Sequence, residues 1–167
     1  MKTIFITGAS TGLGKATAKL FQAKGWNVIA TMRNPESESE LGKLENITLL
    51  PFDVTNLEQI NKTIEAITSK QNIDVVFNNA GYGLVGALES YSDEQITKQI
   101  ETNLTGVLRV VKAFIPYFKK KRSGLINLAK EKSLALYTDS EEFSKMDVES
   151  QFKDVEKEKL SLELIVF

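Results

Sequence analysis

Short apolar runs alternate with longer amphipathic ones along most of this chain. Thr3–Thr7, Asn27–Met32 and Ile47–Pro51 have strand length, are rich in β-branched residues, and are bounded by glycine, asparagine or proline. Each predicts a strand. Gly12–Lys24 carries apolar positions at helical spacing and runs into Gly25, a natural residue to end a helix. Pro35 and the polar cluster Glu36–Glu40 predict a loop or short helix. Asn56 is placed to cap a helix whose Leu57, Ile60, Ile64 and Ile67 share one face. Ile73–Phe77 predicts a short buried fourth strand. Ser92, with Glu94 or Gln95 able to reach back, predicts the start of one long helix carrying Ile96, Ile100, Val107, Val111, Phe114 and Phe118. Gly124–Leu128 and Leu160–Phe167 read as fifth and sixth strands.

Strand–helix alternation of this kind predicts a doubly wound α/β fold, a mainly parallel six-stranded sheet with helices on both faces. Its ligand belongs at the carboxyl ends of the strands, near the point where strand order reverses. No domain boundary, repeat or low-complexity segment appears, so residues 1–167 read as one domain. Within it, 1–128 follow the pattern regularly, and 129–167 change to a highly charged stretch before the last strand.

Composition narrows the chemistry. A net charge of -1 supplies no basic field for nucleic acid or a membrane surface. Cysteine and histidine are both absent. That excludes disulfides, thiol nucleophiles, thiolate metal sites and imidazole bases, so acid–base work falls to Tyr, Lys, Asp or Glu. The apolar run after Met1-Lys2 is too short for a secretory signal and no run is long enough to span a bilayer, so a soluble, cytoplasmic protein is expected.

The stretch Thr7-Gly8-Ala9-Ser10-Thr11-Gly12-Leu13-Gly14 joins the first strand to the first helix. Glycine permits a sharp turn and lets a ligand approach the backbone. The helix beyond offers free N–H groups and the positive end of its dipole to an anion. A diphosphate is the ligand such a turn suits. The spacing is not a Walker loop, because Ala16 follows Gly14-Lys15, nor is it G-x-G-x-x-G.

The observed T-G-x-x-x-G-x-G resembles the short-chain dehydrogenase/reductase family. Asn78-Asn79-Ala80-Gly81 after the fourth strand resembles that family's N-N-A-G element. Asp53-Val54 follows the third strand, where the family places the adenine ring. Asn103, in Glu101–Gly106, resembles the N-x-x-G asparagine that holds an active-site water. Gly124–Asn127 resembles the start of the fifth strand. The resemblance covers residues 1–128. It implies a Rossmann fold, a nicotinamide dinucleotide cofactor held by Gly8, Ser10, Thr11, Gly12, Leu13, Gly14, Asp53, Val54, Asn79, Ala80 and Gly81, and hydride exchange with a small-molecule carbonyl or alcohol. Cofactor choice follows from charge. A carboxylate after the second strand would bond a ribose diol and repel a 2′-phosphate. Here Met32 is followed by Arg33, whose guanidinium matches a phosphate, so NADP(H) is favoured.

Beyond residue 128 the resemblance weakens. The family places a serine after the fifth strand and then Tyr-x-x-x-Lys, whose lysine lowers the tyrosine pKa. The serine positions hold Ala129 and Lys130. Tyr137 is the best match to the proton-transferring tyrosine, with Glu141 where lysine belongs. A full match at Tyr117–Lys121 stands before the fifth strand, the wrong place in the topology, and its lysines suit a helix C-terminus. The charge of 139–159 argues against the helix interface through which family members commonly pair. Three readings stay open: an NADP(H)-dependent oxidoreductase using Asn103 and Tyr137, a cofactor-binding module without turnover, and a truncated or redesigned scaffold of the family.

Overall fold

The computed structural model describes residues 1–128. Tyr137 and the sixth strand expected at Leu160–Phe167 lie outside the described residues. The elements are β1 (Thr3–Thr7), α1 (Gly12–Ala23), β2 (Asn27–Met32), β3 (Ile47–Pro51), α2 (Leu57–Thr68), β4 (Val75–Asn78), α3 (Asp93–Ile100), α4 (Gly106–Lys121) and β5 (Leu125–Leu128). The five described strands pair in parallel in the order β3-β2-β1-β4-β5. β1 is central. The chain leaves it toward β2 and β3 on one side, then returns to place β4 and β5 on the other. The order reverses between β1 and β4, the place where folds of this kind bind their ligands.

Alternation along β1 builds a core on each face. Ile4 and Ile6 meet Val28, Ala30, Val75 and Phe77 under Leu13, Ala18 and Phe21 of α1. Phe5 points the other way, to Ile29 and Val76 under Ile60, Ile64 and Ile67 of α2 and Val110, Phe114 and Phe118 of α4. Each such large side chain contributes roughly 1.5–3 kcal/mol when fully buried. The helix ends follow their local chemistry. Gly25 takes φ +77 and its N–H donates to Gln22 O, while Trp26 N–H donates to Phe21 O. Asn56 Oδ1 accepts the Gln59 N–H at 3.0 Å. Ser92 and Gln95 form a reciprocal capping box. Among the described residues no helix is long and apolar enough to cross a membrane.

The single long helix expected from Ser92 is instead two. A π-helical turn, Glu101–Thr105, separates α3 from α4, and Gly106 N–H donates to Glu101 O. Bonding from i to i+5 takes up one residue more than an α turn and rotates the apolar stripe. Ile100 is consequently 51% exposed, while Val110, Phe114 and Phe118 face the core. Leu57, the first residue of α2, is likewise exposed, and Ile60, Ile64 and Ile67 form the buried face of that helix.

Candidate functional site

The glycine turn and the segment after β4 meet at the reversal of strand order. Thr7, the last residue of β1, is 1% exposed. Its hydroxyl accepts the N–H groups of Asn79 and Ala80, each at 2.9 Å. The Asn79 amide donates back to the carbonyls of Thr7 (3.1 Å) and Gly8 (2.8 Å). Four hydrogen bonds therefore fasten two loops that are some seventy residues apart in sequence. Gly8 adopts φ +67, and an added Cβ there would lie 2.6 Å from Ala80 Cα. A Cβ at Gly14 would overlap the Asn79 amide nitrogen and the Gly8 carbonyl. These glycines keep α1 and both loops close enough to share one cradle. Ala9 N–H donates to Thr31 O at 2.9 Å and ties the turn to β2 as well.

α1 begins at Gly12 with no side-chain cap from Thr11 and no acidic residue in its first turn. Ser10, Thr11 and Gly12 are exposed, whereas Leu13 and Gly14 are buried beneath them. The result is an open helix N-terminus, suited to an anion by its free N–H groups and dipole. Arg33, exposed directly after β2, pairs with no carboxylate among the described residues. Asp53 closes a local turn, its Oδ1 accepting from Thr55 N–H (2.9 Å) and Thr55 Oγ1 (2.7 Å). Val54 is a core residue, 5% exposed. Its carbonyl and side chain lie where a Cβ on Gly106 would come within 2.9 Å, which explains the glycine at the start of α4.

Asn103 sits in the π-helical turn, and its side chain clamps one residue of the loop beyond Gly81. Oδ1 accepts the Tyr82 N–H at 3.0 Å and Nδ2 donates to the Tyr82 carbonyl at 2.6 Å. The π turn thus brings Asn103 to the segment containing Asn79, Ala80 and Gly81. Tyr117 and Lys121 are far from this site. Tyr117 OH accepts the Ile73 N–H at 2.8 Å, and Lys121 Nζ pairs with Asp74 Oδ1 at 2.6 Å, at the amino end of β4. They fasten the opposite, amino-terminal end of the strands. Thr7 opens the glycine motif in the sequence, but its hold on Asn79 and Ala80 is not foreseen there, and Tyr82 gives no sequence signal at all.

A parallel sheet of this order, with a glycine turn and an open helix N-terminus at its reversal point, defines a doubly wound α/β domain of the Rossmann type. The family model described as short chain dehydrogenase matches residues 2–129, and the chain belongs to that family. It is 41% identical over 128 residues to a 3-ketodihydrosphingosine reductase of Bacteroides thetaiotaomicron, a match covering 75% of this chain and 46% of that protein. It is 40% identical over 123 residues to an oxidoreductase of Schizosaccharomyces pombe, covering 73% and 41%. Among solved structures, ElxO with NADP bound superposes with a TM-score of 0.70 at 32% identity, covering 76% of this chain and 54% of that one. A short-chain dehydrogenase from Streptomyces avermitilis gives 0.71 at 30% identity, covering 76% and 48%. The chain spans about half the length of the relatives it matches.

Proposed function

We propose that this chain binds NADP(H) and serves as an oxidoreductase on a small-molecule carbonyl or alcohol. The observation that carries the reading is the cradle at the reversal point, where Thr7 and Asn79 lock two loops beside the uncapped start of α1. The residues fit the group: glycine at 8 and 14 lets the turn, α1 and the loop after β4 close together into the cradle, backbone N–H groups from Gly12 onward suit a diphosphate, and Arg33 suits a 2′-phosphate. Bound NADP(H) supplies or accepts a hydride. The chain's own part is to hold and orient. Ser10 and Thr11 offer hydroxyls, Asp53 and Val54 border the adenine end, and Asn79, Ala80 and Gly81 shape the floor. Asn103 fixes the loop at Tyr82 and, by family resemblance, keeps a water for proton relay. Tyr137 is the proposed proton donor to the substrate oxygen.

A second reading, cofactor binding without turnover, is favoured by one observation: Glu141 stands where the family's lysine belongs. A carboxylate there raises a phenol's pKa instead of lowering it. Titration with NADPH, followed by a carbonyl panel beside an intact family member, tests both. Binding with substrate-dependent NADPH oxidation supports the enzyme, binding without oxidation supports the second reading, and no binding removes both.

A further inference from the structure

The turn after β2 holds a charge cluster that the cofactor reading leaves unused. Lys15 Nζ lies 3.1 Å from Glu38 Oε2 and 3.3 Å from Glu40 Oε1, and Lys19 Nζ lies 2.6 Å from Glu40 Oε2. Its members are unequal. The side chains of Lys19 and Glu40 are about half exposed, where ion pairs contribute little. The Glu38 side chain is only 4% exposed and that of Lys15 22%. Glu38 Oε1 also accepts the N–H groups of Glu40 (2.7 Å) and Leu41 (3.0 Å). Leu41 is wholly buried in the core beside α1, so the carboxylate is held in place from both sides. Burial alone would push Glu38 up, but those two amides and the Lys15 ammonium outweigh it and hold the carboxyl below the usual range.

Lys15 stands one helical turn, about 6 Å along the axis, beyond Thr11. Glu38 belongs to the turn that begins at Arg33. The pair therefore joins α1, whose start is assigned to the diphosphate, to the loop that opens with Arg33. An ionised carboxylate near the end of the second strand is the device that favours a ribose diol over a 2′-phosphate. In this chain Met32 and Arg33 stand there instead, and the carboxylate, Glu38, comes later in the same loop, nearly buried and paired with an ammonium.

We propose that Lys15 is a specificity-determining residue that acts through Glu38: it cancels a carboxylate whose field would otherwise turn the site against a 2′-phosphate, leaving Arg33 as the charge that the phosphate meets. The proposal rests on the NADP(H) reading. At an effective dielectric near 20 and a separation on the order of 10 Å, one uncompensated charge acting on a phosphate changes affinity about tenfold.

The test is calorimetric titration of the full 167-residue chain with NADPH and NADH, in the wild type, Lys15→Met, Lys15→Arg and the double variant Lys15→Met/Glu38→Gln. Lys15→Met is expected to weaken NADPH about tenfold and NADH less than twofold, with the difference shrinking as salt rises. Lys15→Arg keeps the preference, and the double variant recovers it because the charge that repels is gone. A melting scan of each variant separates unfolding from a change in choice. Equal weakening of both cofactors, or a double variant as poor in NADPH as Lys15→Met, would overturn the role of Lys15 while leaving the cofactor reading intact. Failure of the wild type to bind either cofactor would overturn that reading and this proposal together.

Discussion

Replacing Thr7 by valine tests the joint on which the site stands. Valine matches threonine in shape, so the buried end of β1 keeps its packing and only the hydroxyl is lost. That hydroxyl accepts two backbone N–H groups, from Asn79 and Ala80, both at 2.9 Å. An N–H left without a partner on burial costs about 1–3 kcal/mol. Both donors are part-buried, so about 2–4 kcal/mol is lost in sum, offset by about 0.8 kcal/mol for the added buried methyl. The net is about 1–3 kcal/mol. For a chain of this size that lowers the melting temperature by about 2–12 °C. Urea unfolding gives the free energy, and amide hydrogen exchange reads the two N–H groups directly. Exchange at Asn79 and Ala80 should accelerate in Thr7→Val and not in Thr7→Ser, which retains the hydroxyl. NADPH affinity should fall with it, because the loop that floors the cradle is released. A Thr7→Val variant with wild-type stability, exchange and affinity would refute the reasoning.

Asn103→Ala removes both hydrogen bonds to Tyr82, at about 1 kcal/mol each. Faster amide exchange confined to Tyr82 and its loop is the expected result, whereas a global loss of protection would place Asn103 in the core instead. Glu38 carries a pH signature with a defined sign. Its carboxyl is held below the usual value of 4.5, so its contribution to stability is complete above that pH and lost as pH falls through the lowered value. The melting-temperature gap between wild type and Glu38→Gln should thus be constant near neutrality and close below about pH 4.5. A gap that widens in acid would contradict the geometry.

Much of this fold is legible because each local signal agrees with its neighbours. The ranges of β1, β2 and β3 match expectation, since each is a short run rich in apolar residues with glycine, asparagine or proline at or near its ends. Gly25, Asn56 and Ser92 mark helix ends through backbone chemistry that acts within a few residues. What is hidden depends on distance or on phase. The π turn leaves no periodic trace, because Ile96, Ile100 and Val107 fit an unbroken helix equally well on paper. Expected strand Ile73–Phe77 proves to be Val75–Asn78, and the backbone N–H and carbonyl of Ile73 go to Tyr117 and Lys121 instead of a neighbouring strand. The tie from Thr7 to Asn79 spans most of the described chain, and no local pattern announces it. Glu38 reads as a solvated acid within a polar cluster, and only the return of the turn onto α1 shows that it is nearly buried.

Paired affinities for NADPH and NADH, in the wild type and in Arg33→Ala, bear most directly on the central claim. A guanidinium bonded to a phosphate contributes about 1.5–3 kcal/mol, or roughly ten- to a hundredfold in affinity. The wild type is expected to prefer NADPH, and Arg33→Ala to weaken NADPH by that factor while NADH stays within about twofold. Equal affinity of the wild type for both cofactors, or equal weakening of both by Arg33→Ala, would contradict the assignment of this site to NADP(H).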